Sequence, residues 1–320
     1  MKTQRGAAIL TAMLTVVLVA TLASTTLWQQ WRGVEVEAAE RSRTQSTWVL
    51  IGALDWARLI LREDARKGGA DHLAEPWSIA LEQARLSTFL AADRSDTLAA
   101  DATQNAFLSG QIIDLQSRLN VFNLVQADGT LDEPSRLAFS RLFKLLRLPA
   151  SELVRLTEQL RLAKDKGSEK APNPTAPLWP QTVDQLSWVG LTTSSIAVLR
   201  PYVILLPEIT PVNLNTASAE VIYASAEVLE LADAHRLVAA RNATHFDTLA
   251  DANQVGAKAG RAAPFVDGQH SVSTRFFEIR GNLRVNDVTV QEQSVVRRDG
   301  LSVTTLLRLR GVAPAMPLLQ

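Results

Sequence analysis

The segment AAILTAMLTVVLVATLASTTL, residues Ala7–Leu27, sets the architecture of this 320-residue chain. No charged side chain lies between Arg5 and Arg32, and Lys2 and Arg5 precede the segment. Its 21 residues rise about 1.5 Å each in a helix and so span roughly the 30 Å of a bilayer's hydrocarbon core. By the positive-inside rule, the basic residues keep the N-terminus cytoplasmic and send the rest of the chain across the membrane. The sequence therefore predicts one transmembrane helix over residues 7–27.

The predicted helix continues past the apolar segment. The following stretch, WQQWRGVEVEAAERSRTQSTWVLIGALDWARLILRED, contains no Pro, and its isolated Gly33 and Gly52 each cost only about 1 kcal/mol in a helix. From Trp48 to Arg62 the apolar residues recur with the helical period, which leaves a stripe that a folded domain can cover. We therefore predict one helix over residues 7–66, apolar on all sides at first and amphipathic later.

The leader before this helix resembles that of a known protein family. A plain anchor or a cleaved secretory signal is the alternative, but a secretory signal has an apolar region of only about 7 to 15 residues. A short basic leader that ends in glycine before an uncharged helix resembles the type IV pilin and type II secretion pseudopilin family. The resemblance implies that residues 1–6 are a prepilin leader, that the prepilin peptidase cuts between Gly6 and Ala7, and that mature helices pack in a filament.

Thr11 departs from the usual pattern of that family. It is the fifth residue after the implied cut, where family members usually carry Glu. A carboxylate within a bilayer costs about 2.5 to 3.5 kcal/mol unless it is paired, and in the family it pairs with the terminal amine of a neighbouring subunit. A subunit at the tip has no such neighbour. The uncharged Thr11 therefore resembles K-type minor pseudopilins and implies a capping subunit.

The composition favours an exported structural protein over a catalyst. Hydrophobic residues make up 47% of the chain, and 33 basic residues balance 33 acidic ones, so no net charge attracts nucleic acid. The chain has no Cys, no Gly-x-Ser-x-Gly motif and no phosphate-binding glycine loop. None of the four histidines stands at a metal-ligand spacing: His72, His235, His245 and His270. We therefore expect the protein not to be an enzyme.

The segment Gln111–Val125, QIIDLQSRLNVFNLV, predicts a strand pair or a strand that runs into a loop. It resembles the signature Asp-x-x-Gly-Arg-Phe-Asn-x-Asn-x-Leu of K-type pseudopilins. The corresponding residues are Asp114, Gln116, Arg118, Asn120 and Asn123. The match is partial, because Ser117 replaces the glycine and Phe122 replaces one Asn. Alternatively, Asn120 and Asn123 only cap the turn that leads into the next helix.

Helical periodicity prevails over residues 128–267. After an Asp-Gly turn, Asp132 is predicted to cap a helix that has Pro134 in its first turn, and further short helices follow. The charged, proline-rich segment 164–177, KDKGSEKAPNPTAP, predicts a flexible exposed loop. We therefore assign residues 128–267 to a helical domain inserted in the fold.

The stretch VNLNTA, residues 212–217, resembles with its following helices the helix-hairpin-helix modules of DNA-binding proteins, and equally the same stretch of K-type pseudopilins. A DNA-binding hairpin presents backbone N–H groups to phosphate through a Gly-x-Gly turn. The turn is predicted at Glu230–Ala234, which has no glycine and two acids. We expect no nucleic-acid binding, and assign Asn213, Asn215 and Thr216 to a turn and a helix start. A membrane-anchored DNA-binding or DNA-uptake protein is the alternative function.

After residue 267 the period changes from helix to strand. Asp299-Gly300 predicts a two-residue hairpin among the alternating stretches 271–280, 283–292, 295–298 and 301–310. These strands can close the sheet begun earlier, so residues 67–127 and 268–320 form a pilin-like α/β domain. The predicted fold class is α+β, with a long N-terminal transmembrane α-helix packed on an antiparallel sheet and a large helical domain, partly helix-hairpin-helix-like, inserted in it.

The resemblance covers nearly the whole chain and implies a minor pseudopilin of a type II secretion system. Such a subunit caps the pseudopilus tip and starts assembly with I-type and J-type minor pseudopilins, for export of folded proteins across the outer membrane. Other pseudopilins, the prepilin peptidase and secretion substrates are further implied partners. The implied location is the inner membrane, with a single span and the C-terminal bulk in the periplasm.

The resemblance also implies a calcium site near the sheet. Hard cations bind carboxylate, amide and carbonyl oxygens. Four residues are candidates to supply them: Asp114, Gln116, Asp128 and Asp132. No EF-hand loop is present, so calcium stays an expectation whose ligands are not placed by the sequence.

Overall fold

A computed structural model describes residues 5–86, 106–164, 167–168, 171–172, 176–257, 260, 262–285 and 288–313. Most of the implied leader, Met1–Gln4, lies outside these residues. The chain divides into two compact units, Met1–Ala53 and Leu54–Gln320.

The first unit is helical. Helix α1 runs without a break over Arg5–Lys67, which confirms the long helix predicted from the sequence. Its apolar segment is long and hydrophobic enough to cross a membrane, and side chains such as Leu14 are 71% exposed. Thr11 and Thr15 donate their hydroxyls to carbonyls three residues earlier, at 2.9 and 2.8 Å, so both are satisfied within the helix. The segment therefore fits a single-pass membrane anchor.

The second unit contains, among its described residues, a five-stranded antiparallel sheet whose strands neighbour one another in chain order. The strands are β1 (Leu81–Arg85), β2 (Ala106–Asp114), β3 (Phe276–Val285), β4 (Val288–Asp299) and β5 (Ser302–Ala313). β2 and β3 pair directly, with Ile112 opposite Ile279. The helical region is thus inserted between two adjacent strands, which confirms the predicted α+β fold.

One face of the sheet packs on the C-terminal part of α1. The buried residues of this core are Leu54, Ala57, Leu61, Trp77, Ile112, Phe277, Ile279, Val296 and Val303. Phe277 and Ile279 are two residues apart with Glu278 between them, so both lie on this face of the sheet. Arg58 of α1 donates from Nε and Nη2 to the carbonyl of Val303 at 3.0 and 2.6 Å. The contacts fix the end of α1 on the sheet.

The last two hairpins differ in detail from the prediction. The separate strands predicted over residues 283–292 and 295–298 are wrong, because β3 ends at Val285 and β4 spans Val288–Asp299. The hairpin after β4 is confirmed with a shift of one residue, since Asp299 pairs with Ser302. Gly300 is thus the first turn residue, and its φ of 55° is one that glycine adopts without strain.

The helical region lies between β2 and β3. Its α-helices are α2 (Glu133–Leu145), α3 (Ala150–Lys164), α4 (Thr193–Leu199), α5 (Ala219–Ser225), α6 (Leu231–Ala243) and α7 (Leu249–Gly256). Short 3-10 helices cover Leu115–Ser117, Val121–Leu124 and Val183–Val189 in this region, and another, Pro76–Ser78, precedes β1. Asp132 caps α2 by accepting from the N–H of Ser135 at 2.9 Å, and Pro134 lies in the first turn, as predicted. Phe139 and Leu142 of α2 lie in its core, and burial of each stabilises the fold by about 1.5–3 kcal/mol.

The limits of the helical region differ from the predicted residue 128. Val121 and Leu124 already pack in its core, and Leu119–Asn120 pairs in parallel with Val203–Ile204. The helical core therefore takes up part of the segment assigned to the α/β domain. Within the predicted loop 164–177, two residue pairs form a short antiparallel ladder, Gly167–Ser168 with Ala171–Pro172.

The predicted hairpin turn at Glu230–Ala234 is wrong. Glu230 is the N-cap residue of α6, and Asp233 accepts from its backbone N–H at 2.9 Å. Acidic side chains in a first helical turn satisfy free N–H groups and complement the helix dipole, so both acids start α6. The connection between α5 and α6 accordingly precedes Leu231.

Gly110 of β2 marks a close approach to β3. A Cβ at this position would lie 2.9 Å from the carbonyl oxygen of Arg280. We expect Gly110→Ala to lower the free energy of unfolding by about 1–3 kcal/mol, because backbone must move. Thermal unfolding of the full chain in detergent measures this. Gly311→Ala of β5 is the matched control, since its Cβ would meet nothing within 4 Å; equal losses in both variants would contradict the close approach.

Candidate functional site

Asp114, at the end of β2, joins the sheet to the helical region. Its Oδ2 accepts from Asn213 Nδ2 at 2.9 Å and from Thr216 Oγ1 at 2.6 Å, across 99 and 102 residues of sequence. Its Oδ1 accepts from the N–H of Gln116 at 2.7 Å. The side chain is only 3% exposed, and burial raises its pKa to about 6 although several hydrogen bonds act in the opposite direction. Asp114 is thus the acceptor at the centre of a buried junction.

Gln116 extends this junction toward the chain before β3. Its Oε1 accepts from the N–H of Arg275 at 2.7 Å, and its Nε2 donates to the carbonyl of Pro211 at 3.1 Å. Both ends of the buried amide are therefore paired with backbone.

The segment that holds Asn213 and Asn215 is fixed by side-chain amides. Asn213 Nδ2 donates also to the carbonyl of Asp71 at 3.1 Å, and its Oδ1 accepts from the N–H of Asn215 at 3.0 Å. Asn215 exchanges two hydrogen bonds of 2.9 Å with the backbone of Phe246. These amides connect the start of the helix-hairpin-helix-like part to the loop after α6.

Asn120 and Asn123 also act over long distances in sequence. Asn120 donates to the carbonyl of Glu208 at 2.8 Å and accepts from the N–H of Leu206 at 3.0 Å. Asn123 exchanges hydrogen bonds of 2.8 and 3.1 Å with the backbone of Thr210. The interpretation that they only cap a local turn is therefore too narrow, although Asn120 does accept from the nearby N–H of Phe122.

The four calcium candidates do not fit a cation site. The oxygens of Asp114 and Gln116 already accept from donors of the junction. Asp132 caps α2, and the exposed Asp128 accepts from the N–H and hydroxyl of Thr130 at 2.9 and 2.6 Å. The structure therefore assigns these residues to hydrogen bonds, and we derive no function through calcium from them.

An acidic cluster that sequence reasoning missed lies beside the junction. Carboxylate oxygens of Asp64, Asp71 and Glu75 lie within 4.8 Å of one another. Arg298 of β4 forms ion pairs with both aspartates, over 234 and 227 residues of sequence. No local pattern could have indicated it, because only the fold brings β4 beside α1.

Two of the histidines that look scattered in the sequence are in contact. The rings of His72 and His245 stack with centroids 3.7 Å apart and planes 10° apart. His72 Nδ1 accepts from the N–H of Ala74, and burial and the neighbouring His245 lower the pKa of His72. The two rings therefore pack against each other as a stacked pair. Burial likewise lowers the pKa of His270, to about 4.

The helix-hairpin-helix-like part uses its glycine for packing. A Cβ at Gly256 would lie 2.9 Å from Pro264 and 3.4 Å from Phe265, so this position is filled by the protein itself. The flanking Lys258 and Arg261 lie outside the described residues. Nothing at Gly256 is therefore free to approach a phosphate.

Comparison with known proteins agrees with this architecture. Two family models with the description type II secretion system (T2SS), protein K, match residues 117–208 and 212–273, which include the two asparagine segments. The chain is 26% identical over 310 residues to type II secretion system protein K of Pseudomonas aeruginosa, covering 89% of this chain and 86% of that protein. The long apolar helix and both asparagine segments lie where the resemblance to pseudopilins predicts them.

A solved structure shares the fold. It is a chain in the crystal structure of the GspK-GspI-GspJ complex of the type 2 secretion system from enterotoxigenic Escherichia coli. The TM-score is 0.63 at 17% identity, and the match covers 85% of this chain and 98% of that chain. The two family matches and the curated relative, together with the shared fold, support a minor pseudopilin like protein K of type II secretion systems.

Proposed function

We propose that this minor pseudopilin caps the tip of the type II secretion pseudopilus and starts its assembly. The observation that carries the proposal is the uncharged apolar half of α1, in which Thr11 occupies the place of the usual acid. Its hydroxyl donates to the carbonyl of Ala8 in its own helix at 2.9 Å. The apolar half of α1 thus carries no carboxylate for the terminal amine of a subunit stacked beyond it, which fits a position at the tip.

We infer that I-type and J-type minor pseudopilins are its partners. The Escherichia coli chain of the same fold was crystallised in a GspK-GspI-GspJ complex. Assembly of the three would start the pseudopilus, to which other pseudopilins add, for the export of folded proteins. Lys2 and Arg5 support an anchor in the inner membrane with the folded unit in the periplasm, because basic residues keep the N-terminus cytoplasmic.

We propose that this role involves no catalysis. The buried Asp114 is held by three structural donors, and Arg241 donates to the carbonyl of Leu214, so these perturbed groups have packing partners rather than an open cleft. A cleft of about 380 Å³ between α2 and the end of α5 contains Arg141. That guanidinium is engaged by backbone carbonyls, including Tyr223 and Leu229. The shifted pKa values of Asp114 and Arg241 therefore reflect buried contacts that stabilise the fold.

Labelling of assembled pseudopili tests the tip position. An epitope inserted in the segment 164–177 is expected to bind antibody at one end of each sheared filament in electron micrographs. Thr11→Glu supplies the missing carboxylate and is expected to move part of the label into the shaft, whereas Thr11→Ser, the matched control, should not. Label distributed along the shaft for the unmodified helix would contradict the proposal.

A further inference from the structure

Three carboxylates meet where α1, the loop after it and the sheet come together. Asp64 lies on α1, and Asp71 and Glu75 lie on the following loop, with oxygens within 4.8 Å of one another. Carboxylates at this spacing repel one another unless a cation or a proton compensates them. A set of this kind is also what a hard divalent cation prefers.

The compensating cation belongs to the chain itself. Arg298 Nη1 donates to Asp64 Oδ2 at 2.6 Å, and Nη2 donates to Asp71 Oδ1 and to the carbonyl of Thr274 at 2.9 Å. The guanidinium lies 4.8 Å from the ring centroid of Phe277 and is nearly buried. One side chain thus collects two carboxylates and a carbonyl, the oxygen types that calcium takes in proteins.

Two further oxygens of the cluster accept hydrogen bonds from the protein, one on Asp71 and one on Glu75. Asp71 Oδ2 accepts from the N–H of Thr274 at 2.7 Å. Glu75 Oε2 accepts from the N–H of His72 at 2.9 Å and from Trp77 Nε1 at 2.7 Å. Burial, with a contribution from the neighbouring Asp64, raises the pKa of Glu75 to about 7. Four of the six carboxylate oxygens of the cluster are thus held by donors of the protein itself.

We infer that the Arg298 guanidinium takes the place of a divalent cation in this cluster, so that α1 is joined to the sheet here without calcium. The inference departs from the calcium that resemblance to the family implies. It concerns the acidic cluster of Asp64, Asp71 and Glu75 alone, and it is independent of the proposed position at the tip.

Arg298→Met tests the inference by removing the charge while keeping most of the side-chain length. The full chain in detergent is heated in EDTA and in millimolar calcium, and unfolding is followed by tryptophan fluorescence. In EDTA we expect the midpoint to fall by about 10 °C, because the buried carboxylates lose their partner. Calcium should then restore about half of the loss, since the vacated cluster becomes a cation site.

Arg297→Met is the matched control. Arg297 is the neighbouring residue on β4, but it pairs with Glu208 and Asp299 at the surface. We expect a shift of only about 1–3 °C and no added response to calcium. Adding Glu75→Gln to Arg298→Met should remove most of the calcium rescue, which locates that rescue in the cluster. Equal calcium responses of the native chain and Arg298→Met would overturn the inference.

Terbium luminescence provides a second measurement, in which the native chain itself is titrated with the ion. Trp77 donates to Glu75, so a terbium ion bound in the cluster would be excited through its indole. We expect the tryptophan-sensitised terbium emission to be the same in the native chain and in Glu75→Gln. Emission that disappears in Glu75→Gln would mean that the native cluster holds a metal, and the inference would be wrong.

Discussion

Replacing Asp114 by Ala is expected to lower the free energy of unfolding by about 3–5 kcal/mol. The substitution leaves the buried donors of Gln116, Asn213 and Thr216 without their acceptor, and each of these otherwise gains a hydrogen bond of 2.9 Å or less. It also disconnects β2 from the segment that starts the helix-hairpin-helix-like part. Urea unfolding of the full chain in detergent at pH 5, followed by tryptophan fluorescence, measures the loss.

Two variants separate this effect from the simple removal of an acid. Asp114→Asn retains an acceptor oxygen and should lose only about 1–2 kcal/mol under the same conditions. Asp128→Ala removes an exposed acid that holds only its own turn through Thr130, and should stay within about 0.5–1 kcal/mol of the native chain. If Asp114→Ala and Asp128→Ala lost the same amount, Asp114 would not be the centre of the junction.

The pH dependence of the same variants tests the ionisation of Asp114. Its pKa of about 6 lies above the value of about 3.9 for an unfolded chain, so the folded state binds more protons between these values. The stability due to this group is therefore full below about pH 4 and is lost as the pH rises through about 6. Asp114→Asn lacks this loss. The difference in free energy of unfolding between the native chain and Asp114→Asn should therefore shrink by up to about 2–3 kcal/mol between pH 4 and pH 8. A difference that stays constant with pH would contradict the raised pKa of Asp114. The lowered pKa of His270 makes its contribution to stability increase with pH. That contribution is the same in both proteins, so it cancels in the difference between them.

The membrane anchor and many helices were predictable because their signals are local. An uncharged segment without Pro is enough to indicate a transmembrane helix, and nothing elsewhere in the chain changes that physics. Asp132 and Pro134 mark the start of α2 by their own backbone chemistry. The beginning of the helical region was harder to place, since the short elements around Val121 become part of a helical core only through contacts with residues far along the chain.

Strand limits were less predictable, because alternation continues on both sides of a hairpin turn. Residues 283–292 alternate well, but β3 ends at Val285 and β4 begins at Val288. The sequence does contain a turn-forming pair, Asn-Asp, at residues 286–287, and giving it more weight would have separated the two strands. The predicted hairpin turn at Asp299-Gly300 is off by one residue for a similar reason. A turn-forming pair indicates that a turn is present more reliably than it fixes which residues of the two strands pair.

The sequence motifs pointed to residues of the junction but not to the contacts between them. Resemblance to K-type pseudopilins singled out Asp114, Asn213 and Thr216 in two separate motifs, and no property of either motif shows that they bond to each other. The acidic cluster with Arg298 had no sequence signal at all, because its ion pairs cross more than two hundred residues. Long-range polar contacts of this kind follow from the fold, so residue spacing alone does not reveal them.

Replacing Gly6 by Ala is expected to abolish nearly all processing by the prepilin peptidase. The resemblance to pseudopilins implies a cut between Gly6 and Ala7, and a glycine with no side chain lets an enzyme approach the backbone closely. An uncut chain keeps Lys2 and Arg5, and moving each charge into the bilayer costs about 2.5–3.5 kcal/mol. The unprocessed subunit should therefore fail to leave the membrane and to join a filament.

Gly33→Ala is the matched control, because it makes the same substitution in α1 where a Cβ would meet nothing within 4 Å. Co-expression with the peptidase followed by mass spectrometry distinguishes the full chain from one that begins at Ala7. The Gly33 variant should be cut as completely as the native chain, since its helix is unchanged. A mature N-terminus at Ala7 in the Gly6 variant, formed at the native rate, would show that residues 1–6 are not a prepilin leader, and would leave the uncharged segment as a plain anchor.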